Sequence, residues 1–169
     1  MSDFPSLQPA MTILIELGDV TGVGSASKGT PLAVAALPGG SIKSEPGFSP
    51  AIDAEWVGTG ADYIHNDPSG ERMRLNAHGV VKDKSGGLVY LNYTGVVDIT
   101  PELGAILQGK PDAKSTEFGN SFIEMRFETG DEKLKSLETM SFVGAGRFVV
   151  QQGKPVVVEY KLSRVVKGK

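Results

Sequence analysis

The sequence predicts an all-β fold, a closed antiparallel barrel carrying one or two short helical turns. Two observations lead there. Apolar residues recur with period 2 in segment after segment, the spacing that sends alternate side chains to opposite faces of a strand. The 169 residues include 22 glycines and 10 prolines, which interrupt the chain too often for long helices. Closure is the economical arrangement for eight or more strands, because it leaves no unpaired edge.

The elements follow in chain order. Residues 1–10 read as an N-terminal arm and 11–169 as one barrel domain, with no repeat, linker or low-complexity tract. Ile13, Ile15 and Leu17 alternate with Thr12, Leu14 and Glu16 in the first strand. The glycines at 18, 22, 24 and 29 read as a flexible loop, because no helix follows them to complete a phosphate-binding element. Residues 30–37 form a second strand, closed by a turn at Pro38-Gly39-Gly40. In 50–57, Ile52, Ala54 and Trp56 share one face and Asp53 and Glu55 the other. Residues 61–65 continue extended to the turn Asn66-Asp67-Pro68-Ser69-Gly70. Residues 72–81 and 88–97 form a hairpin around the polar, glycine-containing loop 82–87. Neither face of 88–97 is wholly polar, so both are expected to be at least partly covered. Residues 120–129, 139–150 and 155–166 supply the last strands, and only 101–108 and 131–137 read as helical.

Composition removes much chemistry. The chain has no cysteine and two histidines, which excludes disulfides, thiolate catalysis, cysteine-held metals and three-histidine sites. A net charge of -3 and a pI near 5.4 argue against nucleic acid and anionic lipid as partners. The apolar stretch Met11–Leu17 is short, contains Glu16 and lacks a preceding basic run, so a cytoplasmic location is expected. There is no G-x-S-x-G element. Asn92-Tyr93-Thr94 matches a glycosylation acceptor but falls inside a strand.

What remains is a set of polar and aromatic side chains on strands. In Phe122–Glu128, alternation puts Phe122, Glu124, Arg126 and Glu128 on one face. Two readings stand. The ladder is either a solvated charge row on the exterior, or part of a barrel cavity where Arg126 binds a carboxylate or enolate and a glutamate serves as base. His78 shares a face with Arg74 and Asn76, and His65 one with Tyr63. Histidine is the side-chain type best suited to proton transfer near neutral pH, and no spacing requires it to hold a metal. Trp56, Tyr63, Tyr90, Asn92 and Phe122 could shape and hydrogen-bond a ligand in a barrel mouth.

The run Gly58–Tyr63, residues 75–96, Arg126-Phe127-Glu128-Thr129 and Ser141–Arg147 together resemble a family catalogued as domain of unknown function 3237, or uncharacterised protein family 0311. The resemblance spans roughly residues 11–166. It implies a single-domain β-barrel of a kind found in bacteria and fungi, and carries over Asp62 and Glu128 as family positions. The chain departs from the family pattern in three places. Tyr63 stands for a tryptophan, Asn76 and His78 for an acidic residue and an arginine, and Phe122 for an arginine. The architecture is similar to that of allene oxide cyclases, dirigent proteins and calycins, which hold small molecules in shaped cavities.

The resulting expectation is a cofactor-independent isomerase or cyclase acting on a small aromatic, polyketide-like or terpenoid metabolite. Asp62, His78, Glu124 and Arg126 would be catalytic. Trp56, Tyr63, His65, Asn76, Tyr90, Asn92, Phe122 and Glu128 would bind substrate, and no metal is called for. The alternatives are a non-catalytic ligand-binding barrel, with a small apolar or aromatic partner, and a structural or homo-oligomerising module whose interior is filled. A cavity lined by the named side chains separates the first two from the third.

Overall fold

A computed structural model describes residues 3–168. Eleven strands form one sheet: β1 (Ser6–Glu16), β2 (Val20–Gly24), β3 (Leu32–Leu37), β4 (Gly39–Ser44), β5 (Asp53–Trp56), β6 (Gly60–Asn66), β7 (Arg72–Asp83), β8 (Leu88–Asp98), β9 (Ser121–Thr129), β10 (Phe142–Val149) and β11 (Val157–Val166). Their order is β2-β3-β6-β7-β5-β4-β1-β11-β10-β9-β8, and pairing of β7 with β8 closes a barrel. Eight strands, β7-β5-β4-β1-β11-β10-β9-β8, make the barrel, as the alternation and turn spacing predicted. The remaining three form a side ribbon.

One edge of β7 serves two partners in succession. Its final residues pair with β5 (Trp56 opposite Val81, Ala54 opposite Asp83), and its first half pairs with β6 (Ala61 opposite His78, Asn66 opposite Met73). The sheet therefore forks. Chain turning at Val57–Thr59 sends β5 into the barrel and β6 into the ribbon with β3 and β2.

Period-2 patterning holds along the barrel strands. Met73, Leu75 and Ala77 of β7, and Ile123, Met125 and Phe127 of β9, are buried, while the residues between them are exposed or half-buried. Inward side chains from every barrel strand meet in one core that includes fully buried Ile13, Ile42, Leu91 and Val81. Large rings reach the centre because glycines face them. A Cβ on Gly79 would collide with the Trp56 indole, and one on Gly146 would fall 2.5 Å from the Tyr160 ring. The barrel is thus filled, and the expected hollow lined by alternate residues is replaced by packed side chains.

Helix α1 (Pro101–Leu107) packs Leu103 and Ile106 against this core. Thr100 caps it, its hydroxyl accepting from the Leu103 N–H at 3.3 Å, and proline occupies the first turn where no N–H is needed. The second expected helix, 131–137, is instead a 3-10 segment at Lys135–Thr139. Leu137 is its anchor in the core.

Three further expectations are corrected. β1 starts at Ser6 and its first residues pair with β11, so residues 6–10 belong to the sheet and not to an arm; residues 1 and 2 of that arm lie outside the described residues. The loop assigned to 18–29 contains β2, paired with β3. The turn placed at 38–40 opens β4, which pairs with β1 from Glu16 to Met11. Gly40 permits this at φ +157°, because any side chain there would strike the Leu14 carbonyl. Among the described residues, no helix is long and apolar enough to cross a membrane.

Candidate functional site on the outer face of β6–β10

Because β7, β8 and β9 turn alternate residues inward, the polar candidates of all three strands fall on the outer face. The register sets them in rows. His78 lies opposite Asn92, which lies opposite Arg126. Beside this row run Tyr90 opposite Glu128, and Asn76 opposite Thr94 opposite Glu124. On β6, Ala61 faces His78 and His65 faces Arg74, which brings Tyr63 and His65 to the same surface. Strands stand about 4.8 Å apart, so the His78 and Arg126 backbones are about 10 Å apart with Asn92 between them.

Side-chain contacts tie the row together. The His78 Nδ1 and the Tyr90 hydroxyl are 2.6 Å apart. Asn92 donates through Nδ2 to the Ala77 carbonyl at 2.8 Å and to Asn76 Oδ1 at 3.1 Å, and the same nitrogen is 3.5 Å from His78 Nε2. The Tyr63 ring stands edge-on to His78 with centroids 6.1 Å apart. Tyr63, His78 and Tyr90 line one depression. A second, of about 580 Å³, shares Tyr90 and continues across Asn92, Arg126 and Glu128 to a wall formed by Glu138–Val143.

The expected charge ladder lies on the exterior, but it is not an ion-paired ladder. Among the described residues no ion pair or side-chain hydrogen bond engages Arg126, Glu124 or Glu128. By contrast Arg74 is held by Asp67 through two contacts of 2.9 Å, and this bond keeps the Asp67 carboxyl below its ordinary range. A guanidinium left free beside an amide and a tyrosine is available to a ligand oxygen.

Asp62 and Trp56 do not join this face. Trp56 points inward onto Gly60 and Gly79, its Nε1 buried without a hydrogen-bond partner. Asp62 is 5% exposed and also points inward. Between β6 and β7 the pairing skips Tyr63 and Ile64, and there the Asn76 N–H donates to Asp62 Oδ1 at 3.0 Å. The carboxylate supplies the missing rung directly behind the Asn76–Asn92–His78 contacts. Burial raises the Asp62 pKa to about 6, against the lowering effect of that N–H. Tyr93 and Tyr160 share this interior, their rings 5.4 Å apart. Burial pushes both hydroxyl pKa values up, and the Asp62 charge adds to the shift.

No group of three His, Asp or Glu side chains suited to a metal ion occurs among the described residues. The Glu138–Ser141 wall escaped sequence reasoning because 139–141 read as the start of a strand, whereas β10 begins at Phe142 and these residues end and follow the 3-10 segment. Only the alternation in 121–129, once the inward face is known, would have pointed to what it covers.

A closed antiparallel barrel with a filled interior and a forked β7 defines the class of protein. The chain belongs to the family described as "Protein of unknown function (DUF3237)", which it matches over residues 5–165. It is similar in fold to a conserved protein of unknown function from Rhodopseudomonas palustris, at 23% identity over 98% of this chain and 100% of that one, with a TM-score of 0.75. It is similar also to a β-barrel-like protein from Acinetobacter baumannii, at 21% identity over 98% of each chain, TM-score 0.72. A structure described as an enzyme from Penicillium herquei matches at 16% identity over 94% of each chain, TM-score 0.59. No curated protein matches the chain.

Proposed function

We propose that the outer face of β6–β10 is the active site of a cofactor-independent isomerase or cyclase acting on a small aromatic, polyketide-like or terpenoid metabolite. The observation that carries this reading is the 2.6 Å contact between His78 and Tyr90 in the same row as an unpaired Arg126. The Tyr90 hydroxyl fixes the imidazole by Nδ1 and leaves Nε2 towards Asn92 and the depression. His78 takes a proton from a carbon or hydroxyl next to a substrate carbonyl. Arg126 and the Asn92 amide then hold the oxygen on which negative charge develops. Return of a proton from the imidazolium, which exchanges with solvent, to a different atom completes an isomerisation with no net atom gained or lost. Tyr63 stacks at the side, and Glu124 or Glu128 accepts hydroxyl donors. The Penicillium herquei enzyme's similar fold is compatible with this reading.

A second reading has one observation in its favour. The filled lumen is what a structural or oligomerising barrel would have. Against it stands the outer row, which sets an arginine without an ion pair beside a histidine held by a tyrosine hydroxyl.

Proton exchange separates the two readings without knowledge of the product. In D2O, 1H NMR of a panel of enolisable aryl ketones reads loss of α-protons with time. The wild-type chain is expected to accelerate exchange for at least one ketone, and His78→Ala to lower that rate by about 10² or more, the usual contribution of a positioned base. Exchange no faster than in buffer, or equal in wild type and His78→Ala, would count against the proposal.

A further inference from the structure

The polar depression continues, through Glu124 and Val143, into a larger and mostly apolar groove of about 700 Å³. Its apolar surface comes from Leu7, Val96, Phe122, Val143 and Ala145. Leu7 is 60% and Phe122 58% exposed, unusual for side chains of that size. Of the three charged groups that line it, the two cations are already engaged, and Glu124 is shared with the polar depression. Arg74 is paired with Asp67, and Lys161 contacts Thr12, Glu45 and Glu159. The groove therefore offers apolar contact with few free polar groups. Its volume is that of a small-molecule site.

We propose that the ligand of this face is an uncharged amphiphile. Its hydroxylated head sits over the His78–Asn92–Arg126 row and its hydrocarbon body lies in the groove around Phe122. This rests on the outer-face site proposed above. The head is assigned by charge. The unpaired side chains there are two carboxylates and one guanidinium, a net negative balance that disfavours a fully anionic head while Arg126 can still meet partial charge on a single oxygen. Hydroxyl groups can donate to Glu124 and Glu128 while their oxygens accept from Arg126 and Asn92. The length is assigned by the strand. Arg126 and Phe122 are on one face of β9, four residues apart, and at about 3.4 Å per residue the ligand spans about 13–14 Å. Continuity between the two depressions favours one small molecule bridging them over a second copy of the chain laid across the groove.

Titration calorimetry with 4-hexylresorcinol, resorcinol and octanoate tests the inference, with light scattering on the same samples to fix the subunit count. 4-Hexylresorcinol is expected to bind roughly tenfold or more tighter than resorcinol, from burial of its methylenes, and tighter than octanoate. Phe122→Asp should abolish the difference between the two resorcinols, and Phe122→Ala should reduce it. Circular dichroism melts establish that each variant is folded. The inference is overturned if the hexyl chain adds nothing, if the gain survives Phe122→Asp, if octanoate binds as tightly, or if neither resorcinol binds. It is also overturned if Phe122→Asp converts an oligomer to monomers, which assigns the groove to a second copy. A hexyl-dependent gain without His78-dependent proton exchange would refute the isomerase and leave the ligand class standing. Exchange without a hexyl-dependent gain would do the reverse.

Discussion

Replacing the Asp62 carboxylate with a neutral amide should make the protein more stable at neutral pH, although it removes a charged residue that bridges two strands. Asp62 has its pKa raised from 3.8 to about 6, chiefly by burial. The folded state therefore binds the proton more tightly than the unfolded chain. Stability contributed by this group is complete below pH 3.8, declines as pH rises through the interval up to about 6, and is absent above it. At about 1.36 kcal/mol per pKa unit, the ionised carboxylate costs about 3 kcal/mol at pH 7.5. The amide of an Asp62→Asn variant would keep an oxygen for the Asn76 N–H and carry no charge. Urea unfolding of this variant is expected to give a gain of about 2–3 kcal/mol at pH 7.5, shrinking towards zero near pH 4, with a rise in Tm of about 5–10 °C at the higher pH. A variant no more stable than wild type at pH 7.5, or a difference that does not change between pH 4 and 7.5, refutes the account of a buried, poorly compensated carboxylate.

Three other perturbations read the packing, the helix interior and the helix end. Gly79→Ala places a methyl group inside the Trp56 indole and should cost about 1–3 kcal/mol in urea unfolding. Gly104→Ala, in α1 with nothing within 4 Å, should be neutral or stabilising by up to about 1 kcal/mol. Thr100→Ala removes the α1 cap and should cost about 1 kcal/mol by the same measurement.

Most of the barrel was legible because half-buried strands leave an alternating trace, as in Val156–Ser163 and Ile123–Phe127. Strands without that trace were missed. β2, with the sequence Val-Thr-Gly-Val-Gly, is exposed throughout and is extended only because β3 pairs with it. β4 begins with two glycines, which as a local signal mean a turn. Pairing with β1 overrides that signal, and the missing Cβ of Gly40 is what lets the strands approach.

The sequence placed several candidate side chains on common strand faces but left open whether those faces look inward or outward. His78, Asn92, Arg126 and Tyr90 do come together, because alternation fixes which residues share a face. Alternation does not say which face looks inward. On β8, Val89, Leu91 and Tyr93 point in, yet Tyr90, Thr94 and Val96 opposite them are hardly more polar. The outer surface there is itself a groove, so it carries apolar groups that sequence reasoning assigns to a core. Asp62 misled in the opposite sense: a carboxylate suggests solvent, and a skipped rung between β6 and β7 is invisible without coordinates.

The seating of large rings on bare backbone makes position 56 depend on position 79, and position 160 on position 146. Neither member of such a pair can drift alone. An alanine at 79 requires a smaller neighbour at 56, and a truncated ring at 56 leaves a void that only a new side chain at 79 can occupy. Homologous barrels should therefore exchange these residues in tandem, glycine with aromatic against larger aliphatic with smaller. Libraries that vary both positions together will recover folded chains that single substitutions lose.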